Sequence, residues 1–502
     1  MISLIAQACS VVFAPVTFLY IFVGTIVGVI FGAMPGVSAS MAVVLAMTFS
    51  YSMQPLPAIA FLVSVYCAAI TGGGITAILF SIPGTPSSAT TTFDGYPMAQ
   101  RGEAGKALGI SLVTSAFGGL FSAFCMALLT QPLASAALAF GPAELFGVSF
   151  LGLSILTCLD SKNVVRTIAS GLMGLLIACV GTDPVSGMMR FTWGKPVLVK
   201  GVALIPTMVG LFAVVEVFKS LAKMNKPKAE GDIDVSKNGK VNTKLCSVRE
   251  LWAMKVTVIR SAVLGTVVGI LPGAGATIAS FLSYAVDVRC SKHPETYGHG
   301  EPLGIAASET ANNAATGGAM VPLLALGIPG GNAAAVMATA LAIKGVNMGP
   351  LLLTNQPIYL YTVFVAQIVV NIIMVVVAIY IAKIFAKILS VPYSMLGTII
   401  MLLSVIGAYS YSKAVSDVML MALAAVIGYA FIKCHFNSAA LILGLVLGNM
   451  VEKNLRNAFV VGHGSFTQAF LQKPIAVVLL LVCILLLFWP MISMLLPKKE
   501  KA

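Results

Sequence analysis

Thr71–Asp94, TGGGITAILFSIPGTPSSATTTFD, is the stretch on which the reading of the chain turns. Three glycines lead into an apolar octet, which breaks at Ile82-Pro83-Gly84 and gives way to Thr85, Pro86, Ser87, Ser88, Thr90, Thr91 and Thr92. Proline has no N–H and clashes with the preceding turn, so a helix that reaches Pro83 must stop or kink. Proline is also well suited to the first turn of a helix, so Pro86 can open the next one. The pattern predicts two half-helices meeting at a loop, with free N–H groups at Gly84, Thr85, Ser87 and Ser88. A helix start of this kind carries partial positive charge and suits an anion. Irregular backbone survives inside a bilayer only when it is buried in protein or lines a wet cavity. The alternative is a kink that merely packs against a neighbour.

Composition gives the stretch its setting. The chain has 502 residues, 59% hydrophobic and 9% charged, against about 25% charged in soluble domains. This is an all-α polytopic membrane protein. The first charged side chain is Asp94, so the N-terminus lacks the basic start of a cleavable signal peptide and reads as mature membrane sequence. The net charge of +13 lies in short loops and the tail, as the positive-inside rule expects, and does not point to nucleic acid. Nine scattered cysteines without a C-x-x-C pair read as small core residues and indicate neither a disulfide framework nor a metal site.

Upstream, Gly24, Gly28 and Gly32 fall four apart before a break at Met34-Pro35-Gly36, a spacing that lets helices approach closely. Ser38 and Ser40 follow that break at a second helix start, where their hydroxyls can face a ligand. Residues 57–93 are too long for one crossing at about 1.5 Å per residue over about 30 Å, so a re-entrant hairpin with its tip at Pro83-Gly84 is expected. Apolar segments near 107–130, 137–158, 164–181 and 201–218 follow, with Asp160, Lys162 and Arg166 between the second and third. Residues 219–260 then hold ten basic side chains against four acids. The chain therefore divides into a first membrane repeat, 1–218, a basic cytoplasmic linker, 219–258, and a second membrane repeat, 259–502.

The second half restates the first. Gly265-Thr266-Val267-Val268-Gly269 runs to Pro272-Gly273 as Gly24-Thr25-Ile26-Val27-Gly28 runs to Pro35-Gly36. Thr316-Gly317-Gly318 leads to Ile328-Pro329-Gly330 as Thr71-Gly72-Gly73 leads to Ile82-Pro83-Gly84, with intervals one residue apart, and Lys344-Gly345 answers Arg101-Gly102. Paired broken segments in two halves point to a transporter binding site. With the linker inside, four segments place the Arg101/Lys106 loop inside. From the Lys498-Lys499-Glu500-Lys501 tail, five segments near 351–382, 395–411, 414–431, 436–451 and 475–496 place the Lys344 loop outside. Equivalent loops on opposite faces make the repeats inverted, although Arg190, Lys195, Lys200, Lys453 and Arg456 then fall outside, against the charge rule. Arg101 and Lys344 read as topology charges.

Two functional sites are expected. An organic anion would bind between the two tips through Gly84, Thr85, Ser87, Ser88, Gly330, Gly331 and Asn332, with Ser38 and Ser40 nearby. Glu309 is an acid within apolar sequence, and such an acid is by default functional. With Asn312 and Asn313 one turn on, it would hold Na⁺ or carry H⁺ as the coupling ion, the alternative being a structural lock. Asp94 would end the first hairpin at the interface. The chain has no H-E-x-x-H, G-x-S-x-G or P-loop, so an enzyme is not indicated and no cofactor beyond a coupling ion is expected. A channel would not need paired broken repeats.

GTIVGVIFGAMPG, GGGITAILFSIPGTPSSATTTFDGYPMAQRGEAGKALG, ILPGAGATIASFLSY and SETANNAATGGAMVPLLALGIPGGNAAAVM together resemble the large membrane subunit of tripartite tricarboxylate transporters, the TctA family. The similarity runs over nearly the whole chain. It implies a permease of the bacterial inner membrane, working with a small membrane subunit and a periplasmic solute-binding protein that delivers a tri- or dicarboxylate. Uptake would be symport, driven by an ion gradient. A stand-alone ion-coupled anion carrier without partner subunits is the alternative.

Overall fold

The computed structural model describes residues 2–34, 37–138, 140–159, 164–183, 186–224, 246–271, 275–388 and 393–495. The first pair of breaks, Pro35-Gly36 and Pro272-Gly273, lies outside them, as do Asp160, Lys162, most of the basic linker and the Lys498–Lys501 tail. The first half contains α1 (Ile2–Val12), α2 (Pro15–Ala33), α3 (Ala39–Ser50), α4 (Pro55–Phe80), a 3-10 turn at Pro86–Ser88, α5 (Thr91–Met98), α6 (Ala104–Leu138), α7 (Pro142–Leu159), α8 (Val164–Ala178), α9 (Leu204–Met208) and α10 (Val215–Met224). The second contains α11 (Val248–Ala253), α12 (Lys255–Ile270), α13 (Gly275–Cys290), α14 (Pro302–Leu326), α15 (Asn332–Ile343), α16 (Leu352–Asn355), α17 (Pro357–Ile388), α18 (Tyr393–Ser412), α19 (Val415–Lys433), α20 (Ser438–Val461) and α21 (Pro474–Leu495). The strands described are β1 (Gly181–Thr182) and β2 (Met189–Arg190), a short antiparallel ribbon. Five helical runs, Pro15–Ala33, Pro55–Phe80, Thr91–Leu138, Pro357–Ala382 and Val415–Lys433, are long and apolar enough to cross a membrane. The chain is thus a multi-pass membrane protein, and its described residues are overwhelmingly helical.

The broken segments form the centre. α4 is buried from Ala58 to Phe80 and α14 from Gly304 to Ala325. α2 lies along α4 because its glycines allow it: a Cβ at Gly28 would stand 2.7 Å from the Val65 carbonyl oxygen. α12 meets α14 in the same way, a Cβ at Gly269 standing 2.7 Å from the Ala315 carbonyl oxygen. The two central helices run antiparallel. Thr71 of α4 faces Asn313 of α14 and Gly74 faces Glu309, so one sequence rises as the other falls. α6 and α17 do the same, with Gly119 against Asn371 and Gln131 donating to the Tyr361 hydroxyl at 2.5 Å.

Both central helices end in the left-handed region, at Ser81 (φ 56°) and Gly327 (φ 78°). The chain then doubles back, and the tip glycine donates its N–H to the helix it has just left. Gly84 N–H reaches the Gly73 carbonyl at 3.2 Å, and Gly330 N–H reaches the Ala319 carbonyl at 3.3 Å. This corrects the alignment of the two TGG runs by one residue, because the fold makes Gly73 equivalent to Ala319. The first hairpin is also lopsided. α4, at 26 residues and about 1.5 Å each, is itself long enough to cross, and the return is a 3-10 turn and the eight residues of α5.

Candidate functional site

Three α-helix starts converge on one small cavity. Ser38 is the N-cap of α3, its hydroxyl accepting from Met41 N–H at 3.2 Å. Gly275 opens α13, and Asn332 opens α15 behind the N-cap Gly331. The Pro86–Ser88 turn completes the wall. The cavity holds about 140 Å³ and is lined by Ser38, Ser40, Thr85, Ser87, Gly331 and Asn332, together with Tyr66, Ile70, Thr277 and small apolar groups. Six of the nine residues expected to bind an anion therefore share one space. Among the described residues, none that lines it is charged. Its lining joins hydroxyl side chains to the first turns of three helices, whose leading N–H groups have no partner inside their own helix; that of Gly275 is taken by the Gly330 carbonyl at 3.2 Å.

The other three residues sit behind that wall. The N–H groups of Gly84 and Gly330 close the hairpins, and Ser88 N–H is bonded to the Thr85 carbonyl at 3.0 Å. They are not the free donors that the sequence predicts. Their contribution is to hold the tip: a side chain on Gly84 would run into the Gly32 carbonyl and Gly73. The Thr85 hydroxyl lies 3.0 Å from that of Ser87 and 3.2 Å from that of Ser88, fixing the turn. Thr277 was missed. It stands in ILPGAGAT where Ser40 stands in MPGVSAS, so the repeat carried the signal.

Glu309 lies in α14, fully buried, where α4, α5 and α6 meet. Thr91 donates to its Oε1 at 2.5 Å, and Ser115 and the Asn312 amide donate to its Oε2 at 3.1 and 3.4 Å. Asn313 is placed differently from the expected ligand. Its Oδ1 accepts from Thr71 at 2.7 Å, and its amide donates to Asn312 Oδ1 at 2.6 Å. Both Asn side-chain oxygens are thus engaged by other donors. Asn312 Nδ2 also reaches the Ser87 carbonyl at 3.5 Å, which joins the acid to the wall of the cavity.

Asp94, Arg101 and Lys344 are more than boundary charges. Asp94 is fully buried. Its Oδ1 accepts from Gly298, Gly300 and Glu301 N–H at 2.8, 2.9 and 2.8 Å, and its Oδ2 from the Tyr284 hydroxyl at 2.8 Å. Arg101 donates to the His299 and Gly300 carbonyls at 2.6 and 2.9 Å. The end of the first hairpin thus grips the loop that precedes α14. The end of the second grips the loop that precedes α4: the Lys344 ammonium donates to the Ser50, Tyr51 and Met53 carbonyls. Nothing in the local sequence announced these exchanged clamps.

Two of the five cationic side chains that opposed the charge rule, Arg190 and Arg456, are paired. Arg190 binds Glu452 with both terminal nitrogens, at 2.5 and 2.9 Å, and Arg456 pairs with Asp183. Lys106 pairs with Glu250 at 2.8 Å, which places the loop after the first hairpin beside the end of the basic linker.

A family model described as tripartite tricarboxylate transporter TctA family matches residues 18–443. An uncharacterized 52.8 kDa protein in the TAR-I ttuC′ 3′ region of Agrobacterium vitis is 35% identical over 497 residues, which is 98% of this chain and 97% of the relative. An uncharacterized protein in the TAR-II ttuC′ 3′ region of the same organism is 36% identical over 231 residues, covering 45% of this chain and 95% of the relative. No solved structure matches.

Proposed function

We propose a function from one premise: the chain belongs to the tripartite tricarboxylate transporter TctA family. It is a transporter subunit and, by that membership, not an enzyme. In our reading it is the permease that imports an organic carboxylate, a tri- or dicarboxylate, across the bacterial inner membrane. A periplasmic solute-binding protein delivers the substrate and a small membrane subunit completes the system. The cavity between the hairpin tips receives the anion.

The observation that carries this reading is the convergence of the N-termini of α3, α13 and α15 on one uncharged cavity. Their partial positive charges and first N–H groups suit a carboxylate. Thr85, Ser87 and Asn332 add side-chain donors, each bond to an ionised oxygen contributing roughly 1.5–3 kcal/mol net. Antiparallel α4/α14 and α6/α17 support inverted repeats with the linker and Lys106 loop on the cytoplasmic face and the Lys344 loop on the opposite face. Glu309, linked to Ser87 through the Asn312 amide, suits an ion that enters with the anion, Na⁺ or H⁺, and makes uptake secondary active.

The test is carboxylate uptake in cells carrying the chain with and without its two partners. Uptake that depends on both partners and falls with Thr85→Ala or Asn332→Ala supports the reading. Full uptake by the chain alone would make it a stand-alone carrier. Uptake indifferent to the cavity substitutions would remove the site.

A further inference from the structure

Resting on the permease reading, we infer that the chain holds a second carboxylate site, a vestibule on the face that bears the Lys344 loop. It is built around Lys200 and is occupied before the cavity between the hairpin tips. Lys200 is one of the cations that opposed the charge rule, and among the described residues it takes part in no ion pair. It lines a cavity of about 630 Å³, within the roughly 300–1,000 Å³ that ligand sites occupy. Among the described residues that line this space, Lys200 alone is charged, and Thr182, Thr339, Tyr411 and Asn449 are polar.

The wall that carries Lys200 is fixed. Thr182 donates to the Val199 carbonyl twice, from its N–H at 3.0 Å and from its hydroxyl at 2.9 Å. Gly181 and Gly201 stand at positive φ, 111° and 84°, and a Cβ at Gly181 would lie 2.6 Å from the Gly201 nitrogen. Arg190 pairs with Glu452 and Arg456 with Asp183, which ties the β1–β2 ribbon to α20, and α20 contributes Leu445, Val446 and Asn449 to the lining. Asp183 and Glu452, the acids nearest the lining along those two elements, are thereby matched charge for charge. Past Tyr411, Lys413 and Asp417 add one charge of each sign. Lys200 is left to set the sign of the cavity, and it suits an anion.

α15 joins this space to the first. Asn332 and Ala333 at its start line the smaller cavity, and Thr339, Ala342 and Ile343 toward its end line the larger. At about 1.5 Å per residue, Asn332 and Thr339 stand about 10 Å apart along the helix. Ile343 adjoins Lys344, so the larger cavity lies toward the face that the proposed topology makes periplasmic, where substrate arrives. The two spaces ask different things of the anion. In the larger one a carboxylate keeps water around it and meets a single ammonium, which draws it in and raises its local concentration. In the smaller, of about 140 Å³, it exchanges that water for hydroxyls and helix N–H groups. A roomy charged site ahead of a tight uncharged one collects substrate at the entrance without trapping it.

The experiment places a cysteine at Ala342, which is exposed on the wall of the larger cavity. Its modification by a neutral, membrane-impermeant maleimide is followed in right-side-out membrane vesicles, with mass spectrometry separating the 342 peptide from the native cysteines. Citrate and succinate, replacing chloride at constant ionic strength, should slow the modification saturably. Lys200→Gln should raise the half-protecting concentration about tenfold, Lys200→Arg should restore it, and protection should persist in Asn332→Ala. Should Lys200→Gln fail to accumulate, Tyr411→Phe is expected to weaken protection in the same direction. No protection by either carboxylate overturns the vestibule, as does an unchanged half-protecting concentration in Lys200→Gln. Protection that vanishes in Asn332→Ala overturns it too, because the block then comes from the smaller cavity, and so does a cysteine at 342 that reacts only in inside-out vesicles. Failure of the permease reading shows separately, as uptake indifferent to Thr85→Ala and Asn332→Ala in a chain whose Ala342→Cys is still protected.

Discussion

Replacing Asp94 with asparagine tests the clamp on which the geometry of both sites depends. The carboxylate accepts three backbone N–H groups on Oδ1 and the Tyr284 hydroxyl on Oδ2, all between 2.8 and 2.9 Å. In Asp94→Asn the side-chain carbonyl can still face the same three N–H groups, and the new amide can donate to a rotated Tyr284 hydroxyl. The count of bonds survives and the charge does not. A bond to a charged group contributes about 1.5–3 kcal/mol and a neutral one about 0.5–1.5. Three bonds weakened by about 1 kcal/mol each predict a loss of roughly 3 kcal/mol. Asp94→Ala is worse, because it leaves three part-buried N–H groups without their acceptor, at up to about 1–3 kcal/mol apiece, and it should accumulate less than Asp94→Asn. Tyr284→Phe removes a single bond and should fall between wild type and Asp94→Asn. The measurement is the denaturant midpoint of purified protein in detergent. Asp94→Asn within about 0.5 kcal/mol of wild type, the range of an ordinary surface substitution, would mean that the charge of Asp94 adds nothing to its grip on the 298–301 loop, and the clamp argument would fail.

Other outcomes follow from the same geometry. Glu309→Gln keeps size and one acceptor oxygen but removes the charge, so a well-expressed variant should lose the ion-gradient dependence of uptake; unchanged ion stoichiometry would take Glu309 out of the mechanism. Asn332→Ala and Thr85→Ala should each weaken carboxylate uptake, by about tenfold if a bond to an ionised oxygen is lost, with near-normal membrane levels. Cysteines placed at Gln100 or Glu103, exposed between α5 and α6, should label from the cytoplasm and one at Asn347 from the periplasm; labelling of both from one side would refute inversion. Gly84→Ala should block accumulation, since the added carbon meets the Gly32 carbonyl and the α4 backbone, and a normally expressed, active Gly84→Ala would show that the tip packs elsewhere.

Much of the architecture was written locally. A run of apolar residues long enough to cross, a proline without an N–H and a glycine after it are properties of neighbours along the chain, so the helix ends near Ile82 and Ile328 were legible. So was the meeting of Ser38, Ser40, Thr85, Ser87, Gly331 and Asn332, because a repeated break implies a repeated helix start, and the same logic extended to Thr277. The partners were decided elsewhere. That Gly84 N–H is used on Gly73, that Thr91 reaches Glu309, and that Arg101 and Lys344 each hold the loop before the other half's central helix depend on α4 and α14 packing antiparallel. Two residues some two hundred positions apart carry no mark of each other in the sequence. Only the close approach of helix backbones, set by glycines that leave no room for anything between, selects which hydroxyl meets which carboxylate.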